Sequence, residues 1–235
     1  MFSVPPWLET SVQLNAHVQE LLLRYAILSD IHSKLHALEA AIADAQRLGV
    51  ETVISLGDVG SDACCDRLRS VGAIGVFGNW EVSRWGELSA INQQFVLGMT
   101  PMVAGDDFLA VHAAPWWPEG LTTVVDFMDY MLASGVKWRA LFPYLDESED
   151  ARWQAVAELE NRDKQMLFHG HTHHREVWRI GSTGRMARLS GSGITLDARA
   201  RYLVGVGSLG RPEGNTPAGY ALFDDTSRAI ELREV

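Results

Sequence analysis

Cysteine is almost absent from this chain: there are two in 235 residues, Cys64 and Cys65, side by side. Adjacent residues on a helix point in different directions, so this pair does not form a bridge. A disulfide-stapled secreted scaffold is therefore excluded, and reduced thiols fit a cytoplasmic setting. Long apolar runs are absent too. No stretch approaches the roughly 20 residues that a membrane-crossing helix needs, so no membrane partner is expected. The first residues lack the basic start of a secretory leader, and Leu21-Leu22-Leu23 is broken by Glu20 and Arg24. Positive charge is in short supply: 20 Lys and Arg against 30 Asp and Glu leave a formal charge of −10. Such a surface repels a phosphate backbone, which argues against polymeric nucleic acid as a partner. A small phosphorylated substrate stays open if a cation cluster supplies local positive charge.

The chain is 47% hydrophobic, enough to bury a core without staples. Residues 1–24 read as an N-terminal extension. Val4-Pro5-Pro6-Trp7 is a short cap and Glu9 to Leu23 an amphipathic helix, packed on the body or used as a homo-oligomer contact. Residues 25–235 read as one domain. From Tyr25 to Phe77 the pattern is strand, helix, strand, helix, strand, with helices over Leu35–Leu48 and Ala63–Val71 stopped by Gly49 and Gly72. This alternation predicts parallel strands and an α/β fold. A helix over Glu87–Leu97 and a hairpin over Met102–His112 follow. The stretch 116–165 is rich in aromatics and carries helical patterns over Thr122–Ala133 and Glu149–Arg162, so it reads as a lid-like insertion. Short strands separated by Gly, Asp and Ser turns then run to the end.

Five polar motifs each follow an apolar, strand-like run: Asp30-Ile-His32, Gly57-Asp58, Gly78-Asn79-Trp80-Glu81, Val111-His112 and Gly170-His171-Thr-His173. A buried strand that stops at Asp, Asn or His delivers that side chain to the rim of the sheet, where α/β proteins bind ligands. Carboxylate oxygen and imidazole nitrogen suit borderline divalent cations such as manganese, iron, zinc or nickel. Singly, each motif is explained as a turn, a cap or a core histidine. Together and in order, they point to a metal centre.

This ordered set resembles the calcineurin-like metallophosphoesterase superfamily, most of all its small bacterial and archaeal phosphodiesterase-type members. The likeness runs from Tyr25 to about Asp225. Ser29-Asp30-Ile31-His32 with Leu35 to Glu39 is similar to the family's first strand-loop-helix. Val206 to Pro212 with Gly219 to Asp224 is similar to its closing glycine-rich loop and strand. The resemblance implies a four-layer α-β-β-α sandwich of two mixed sheets flanked by helices. It implies two divalent metal ions, one held by Asp30, His32 and His173, the other by Asn79, His112 and His171, with Asp58 bridging. It further implies hydrolysis of phosphodiester or phosphoanhydride bonds in small, nucleotide-like substrates by a hydroxide held between the ions, with Asp58, Asn79 and His112 as catalytic candidates. Glu81 is expected to orient a ligand or hold its own loop, and His174 to stay peripheral.

One departure matters. Many relatives carry histidine after Gly-Asn, whereas here Trp80 stands there, and an indole N–H cannot act as a general acid. This implies a bias toward leaving groups that depart without a proton. His36, Lys34, Trp80 and Trp116 are the candidate substrate contacts, His36 as a stand-in for the missing imidazole. The competing reading is a catalytically weak or inactive scaffold, or a nucleotide-binding module, on the same fold. Retention of all the ligand positions argues against it, and Trp80 argues for it.

Overall fold

The computed structural model describes residues 23–235. The helix expected from Glu9 falls outside the described residues, apart from Leu23 at its end. The first strand begins at Arg24, one residue inside the stretch expected as an extension.

Strands β1 (Arg24–Leu28), β2 (Thr52–Ser55) and β3 (Ile74–Gly75) pair in parallel through crossover helices α1 (Leu35–Arg47) and α2 (Asp62–Ser70). The helices stop where left-handed Gly49 and Gly72 follow, with φ of 70° and 65°. The third strand is shorter than its apolar run: Val76 N still donates to Ser55 O at 2.8 Å, but Val76 also bridges to Thr100, and Phe77 N donates to Thr100 O at 3.3 Å. Next come α3 (Asn79–Ser83), a 3₁₀ turn (Trp85–Glu87) and α4 (Ala90–Leu97). The single helix expected over Glu87–Leu97 is thus split. Asp62 accepts hydrogen bonds from Ser89 N (3.0 Å) and Ser89 Oγ (2.9 Å), which holds Ser89 in an extended N-cap conformation.

The hairpin is present as β4 (Met102–Ala104) antiparallel to β5 (Phe108–Val111). Three helices follow in the stretch 116–165: α5 (Val124–Ser134), α6 (Trp138–Leu141) and α7 (Glu149–Asn161). The rest is β6 (Met166–His169), β7 (Arg175–Ile180), β8 (Met186–Arg188), β9 (Gly193–Thr195), β10 (Arg201–Val206), β11 (Gly219–Asp224) and β12 (Ala229–Glu234).

These strands form two six-stranded mixed sheets, ordered β3-β2-β1-β11-β12-β9 and β4-β5-β6-β10-β7-β8. Alternation along each strand explains the layering. Ile27, Ala221 and Phe223 of the first sheet meet Phe108, Phe168, Tyr202 and Val204 of the second in a core between the sheets. The intervening residues Ala26, Leu28, Tyr220 and Leu222 face a second core with Leu38, Ile42 and Leu68 on the helical side. Leu109, Val111, Leu167 and Leu203 face a third core, capped by Ala155, Val156 and Leu159 of α7. The result is the four-layer α-β-β-α sandwich. Phe127, Leu141 and Phe142 of the 116–165 stretch enter the first helical core, and α7 covers the second sheet.

Candidate metal centre

Five loops converge at the carboxyl ends of β1, β2, β3, β5 and β6. Asp30, His32, Asp58, His171 and His173 all adopt left-handed backbone, with φ of 52°, 46°, 52°, 63° and 58°. A non-glycine residue in that region costs on the order of 1–3 kcal/mol and persists only where the surroundings over-determine it. Here they do. Asp30 N donates to Gly57 O at 3.1 Å, His32 N to Asp58 O at 2.9 Å and Gly170 N to His112 O at 2.9 Å. Two glycines allow the loops to close this tightly. A Cβ on Gly78 would strike His112 Cε1 at 2.7 Å, and one on Gly170 would strike Asp30 Oδ2 at 2.6 Å.

The candidate ligand atoms fall into two clusters. In the first, His32 Nε2 lies 3.1 Å from His173 Nε2, and Asp30 Oδ1 lies 3.2 Å from His173 Nε2 and 3.6 Å from His32 Nε2. In the second, His112 Nε2 lies 3.0 Å from Asn79 Oδ1, 3.1 Å from His171 Nδ1 and 3.5 Å from Asp58 Oδ1. Asp58 faces both: its other oxygen, Oδ2, is 3.9 Å from His32 Nε2. Donor atoms about 2.0–2.2 Å from one cation stand about 3–3.5 Å apart, so the spacings in both clusters suit an ion.

Hydrogen bonding satisfies only part of this array, since Asp30 Oδ1, His32 Nδ1 and His171 Nε2 are buried without a partner. Asp30 Oδ2 accepts from Ser29 Oγ at 2.6 Å and from His171 N at 2.8 Å, which leaves buried Oδ1 with no hydrogen-bond partner. His112 Nδ1 faces Leu56 O at 2.7 Å, so the proton of the neutral ring sits on that nitrogen. The lone pair on Nε2 then points at two oxygens, Asn79 Oδ1 and Asp58 Oδ1. Converging lone pairs repel unless a cation lies between them. The residues therefore fit divalent metal.

The electrostatics agree. Burial holds His171 down to about 3 and His32 to about 4, so both rings are neutral and ligand-competent at neutral pH. Burial lowers His112 as well. Asp58 is pushed well above the carboxylate range by burial and by the negative charges of Asp30 and Glu81. A cation would relieve that repulsion.

Glu81 is placed as the sequence suggested. Its buried carboxylate accepts from Asp58 N (2.8 Å), Val59 N (2.9 Å) and Gly78 N (2.8 Å), tying two ligand loops together. Trp80 N donates to Asp58 Oδ1 at 2.8 Å, and its ring meets His32 edge-on at 4.3 Å. His174 pairs with Asp146 at 2.9 Å, away from the clusters.

The other candidate substrate contacts make no hydrogen bond or ion pair with the ligand clusters among the described residues. Lys34 and His36 are exposed at the start of α1. Trp116 packs against the third core, and Trp117 packs on Phe127. Both indoles are half-buried, and Trp117 lines a small cavity together with His112 and Phe142. Tyr144 lies 4.0 Å from His171, ring to ring, and Trp138 meets it edge-on at 5.8 Å. Two groups had no assigned role from sequence, Ser29 beside Asp30 and Arg211 in the glycine-rich loop. Both lie inside stretches quoted for the family resemblance, but nothing in the sequence sets either apart from its neighbours.

Fold and site together define an α-β-β-α sandwich with a cluster fit for divalent cations at its strand ends. The chain belongs to the calcineurin-like phosphoesterase superfamily, whose domain pattern matches residues 23–228. An uncharacterised protein of Methanocaldococcus jannaschii is 24% identical over 226 residues, covering 89% of this chain and 86% of its own. The crystal structure of a metallophosphoesterase from Sphaerobacter thermophilus aligns with 89% of this chain and 86% of that one, at 23% identity and a TM-score of 0.65, which shows the shared fold.

Proposed function

We propose that the protein is a phosphoesterase that works with two divalent cations and hydrolyses phosphodiester or phosphoanhydride bonds of small, nucleotide-like substrates in the cytoplasm. The observation that carries this reading is Asp58, one carboxylate with an oxygen turned toward each cluster of lone pairs. Asp30, His32 and His173 would hold one ion, and Asn79, His112 and His171 the other. Bound cations supply Lewis acidity and acidify water toward a pKa of about 7.

The chain does the rest. Ser29 and His171 N occupy Asp30 Oδ2 and so leave Oδ1 free to hold an ion. The Leu56 carbonyl fixes the tautomer of His112. Trp80 N steadies Asp58. The Trp80 indole has no acidic proton to give a departing oxygen, and general acid help is typically worth 10²–10⁴-fold. Aryl esters and anhydrides, which leave as stable anions, are therefore the better substrates. The charge of −10 favours small substrates over polyanions.

The test is hydrolysis of bis-p-nitrophenyl phosphate, p-nitrophenyl phosphate, an alkyl phosphate and a nucleoside diphosphate by metal-stripped protein, with and without Mn²⁺, beside Asp58→Asn. Turnover that needs metal, vanishes in Asp58→Asn and favours aryl over alkyl esters is expected. Metal-loaded protein that cleaves no ester or anhydride would refute the reading.

A further inference from the structure

We propose that Arg211 is the side chain that grips the substrate's phosphoryl group, carried to the mouth of the metal centre on the face of Trp80. This rests on the phosphoesterase reading above and adds a substrate-binding residue to it.

The backbone at Arg211 is fixed to the metal loops. Leu209 N donates to Ser29 O at 3.1 Å and Gly210 N to Asp30 O at 2.9 Å. Ser208 Oγ donates to Asp30 O at 2.8 Å and accepts from Arg211 N at 2.8 Å. A Cβ on Gly210 would overlap His32 Cβ at 2.8 Å, so the loop lies directly on the backbone of the first motif. Pro212 restricts Arg211 to extended conformations.

The side chain is free to bind. It is exposed, and among the described residues its guanidinium has no carboxylate partner. Arg67, Arg152 and Arg185 share that lack among the described residues, but only Arg211 combines it with a seat on the Trp80 ring, where Arg84 is already paired with Glu87. What holds Arg211 is the Trp80 ring, with its guanidinium carbon 4.9 Å from the centroid. The same ring touches His32 at 4.3 Å. The positive charge is thus stationed one aromatic ring from a candidate ligand, and it is felt at both His32 and Asp58. A guanidinium fork matches two phosphoryl oxygens, whereas an indole offers a single neutral N–H donor. Trp80 therefore replaces a hydrogen-bonding side chain with a platform, and Arg211 supplies the donors.

The experiment compares Arg211→Ala, Arg211→Lys and the control Arg84→Ala with wild-type, Mn²⁺-loaded protein. Arg84 also stands over Trp80, at 4.0 Å, but it already pairs with Glu87. Three quantities are read: bound metal, kcat/KM on p-nitrophenyl phosphate, and inhibition by inorganic phosphate. Arg211→Ala is expected to keep its metal, lose about 10–100-fold in kcat/KM and weaken phosphate inhibition by a similar factor. Arg211→Lys is expected to recover part of both, as a charge without the fork. Unchanged kcat/KM and phosphate inhibition in Arg211→Ala would overturn the proposal. So would an equal loss in Arg84→Ala, or loss of metal along with activity, which would make Arg211 a prop for the loop. Should wild-type protein hold metal yet cleave no ester or anhydride, the phosphoesterase reading fails by itself. Phosphate binding to the loaded variants, followed by calorimetry, then decides Arg211 on the same terms.

Discussion

Glu81 shows what the cluster demands of a single residue. One carboxylate answers three buried backbone N–H groups, from Asp58, Val59 and Gly78. Glu81→Gln turns one acceptor into a donor facing other donors, and each orphaned donor costs roughly 1–3 kcal/mol. Groups that orient metal ligands typically change affinity by about 10–100-fold when mutated. Glu81→Gln is therefore expected to lower both the unfolding midpoint and Mn²⁺ affinity, read by denaturant titration and by metal titration. A variant that binds Mn²⁺ as tightly as wild type would dissociate Glu81 from the site. The residues that converge were legible in the sequence because each is a chemically distinctive side chain at the end of an apolar run. Ser29 and Arg211 were not, since serine next to aspartate and arginine in a loop are common. Their meaning depends on which backbone lies opposite, and only the fold decides that.

At the scale of elements, the strands were legible because alternation is visible in sequence. Ile27 and Phe108 turn one way and Leu28 and Leu109 the other. The short helices were not. α3 exists because Gly78 gives way to Asn79 under the hold of Glu81, and α6 has only four residues, too few for a period. The aromatic stretch is where sequence reading reached its limit, since packing and lining use the same side chains. Phe127 of α5 settles its own case. It is 1% exposed and meets Phe77 at 5.0 Å and Phe142 at 5.7 Å. Phe77 leads into the Gly78-Asn79 loop, and Phe142 lies 5.7 Å from His112. Burying Phe127 thus supports the second cluster from behind. Phe127→Ala is expected to cost about 3–5 kcal/mol and to weaken metal binding beyond that of a control such as Leu159→Ala, which empties the third core. Equal metal affinity in the two variants would show that α5 stabilises the fold without serving the site.

For the whole molecule, the centre couples folding, protons and metal. The fold holds His32, His112, His169 and His171 below the ordinary histidine value, in each case chiefly by burial. An unfolded chain protonates these rings near pH 6.5, but the native one waits until about pH 4 at His32 and about 3 at His171. Between those limits the unfolded state binds more protons, so the metal-free protein loses stability as pH falls from 6.5 toward 4. His173 and Asp58 have the opposite sign. Burial opposes protonation at His173, but Asp30 outweighs it and raises the ring. Burial itself raises Asp58. The stability these two lend is lost as pH rises through their raised values. Four lowered imidazoles face these two raised groups, and two of the four have windows reaching to pH 4 or below, so net acid lability is expected. Metal adds to this, because cations bind deprotonated ligands, and the raised His173 and Asp58 hold their protons more tightly than free groups do. Saturating Mn²⁺ at about 1,000 times its dissociation constant adds roughly 4 kcal/mol to folding. Urea midpoints from pH 7.5 to 4.5, with and without Mn²⁺, should show a falling metal-free curve. The Mn²⁺ increment should shrink as pH drops, because protons compete for the same lone pairs. A flat metal-free curve would mean that the buried imidazoles take up protons in the native state as readily as in the unfolded one. A pH-independent increment would mean that the cation is held by groups other than these.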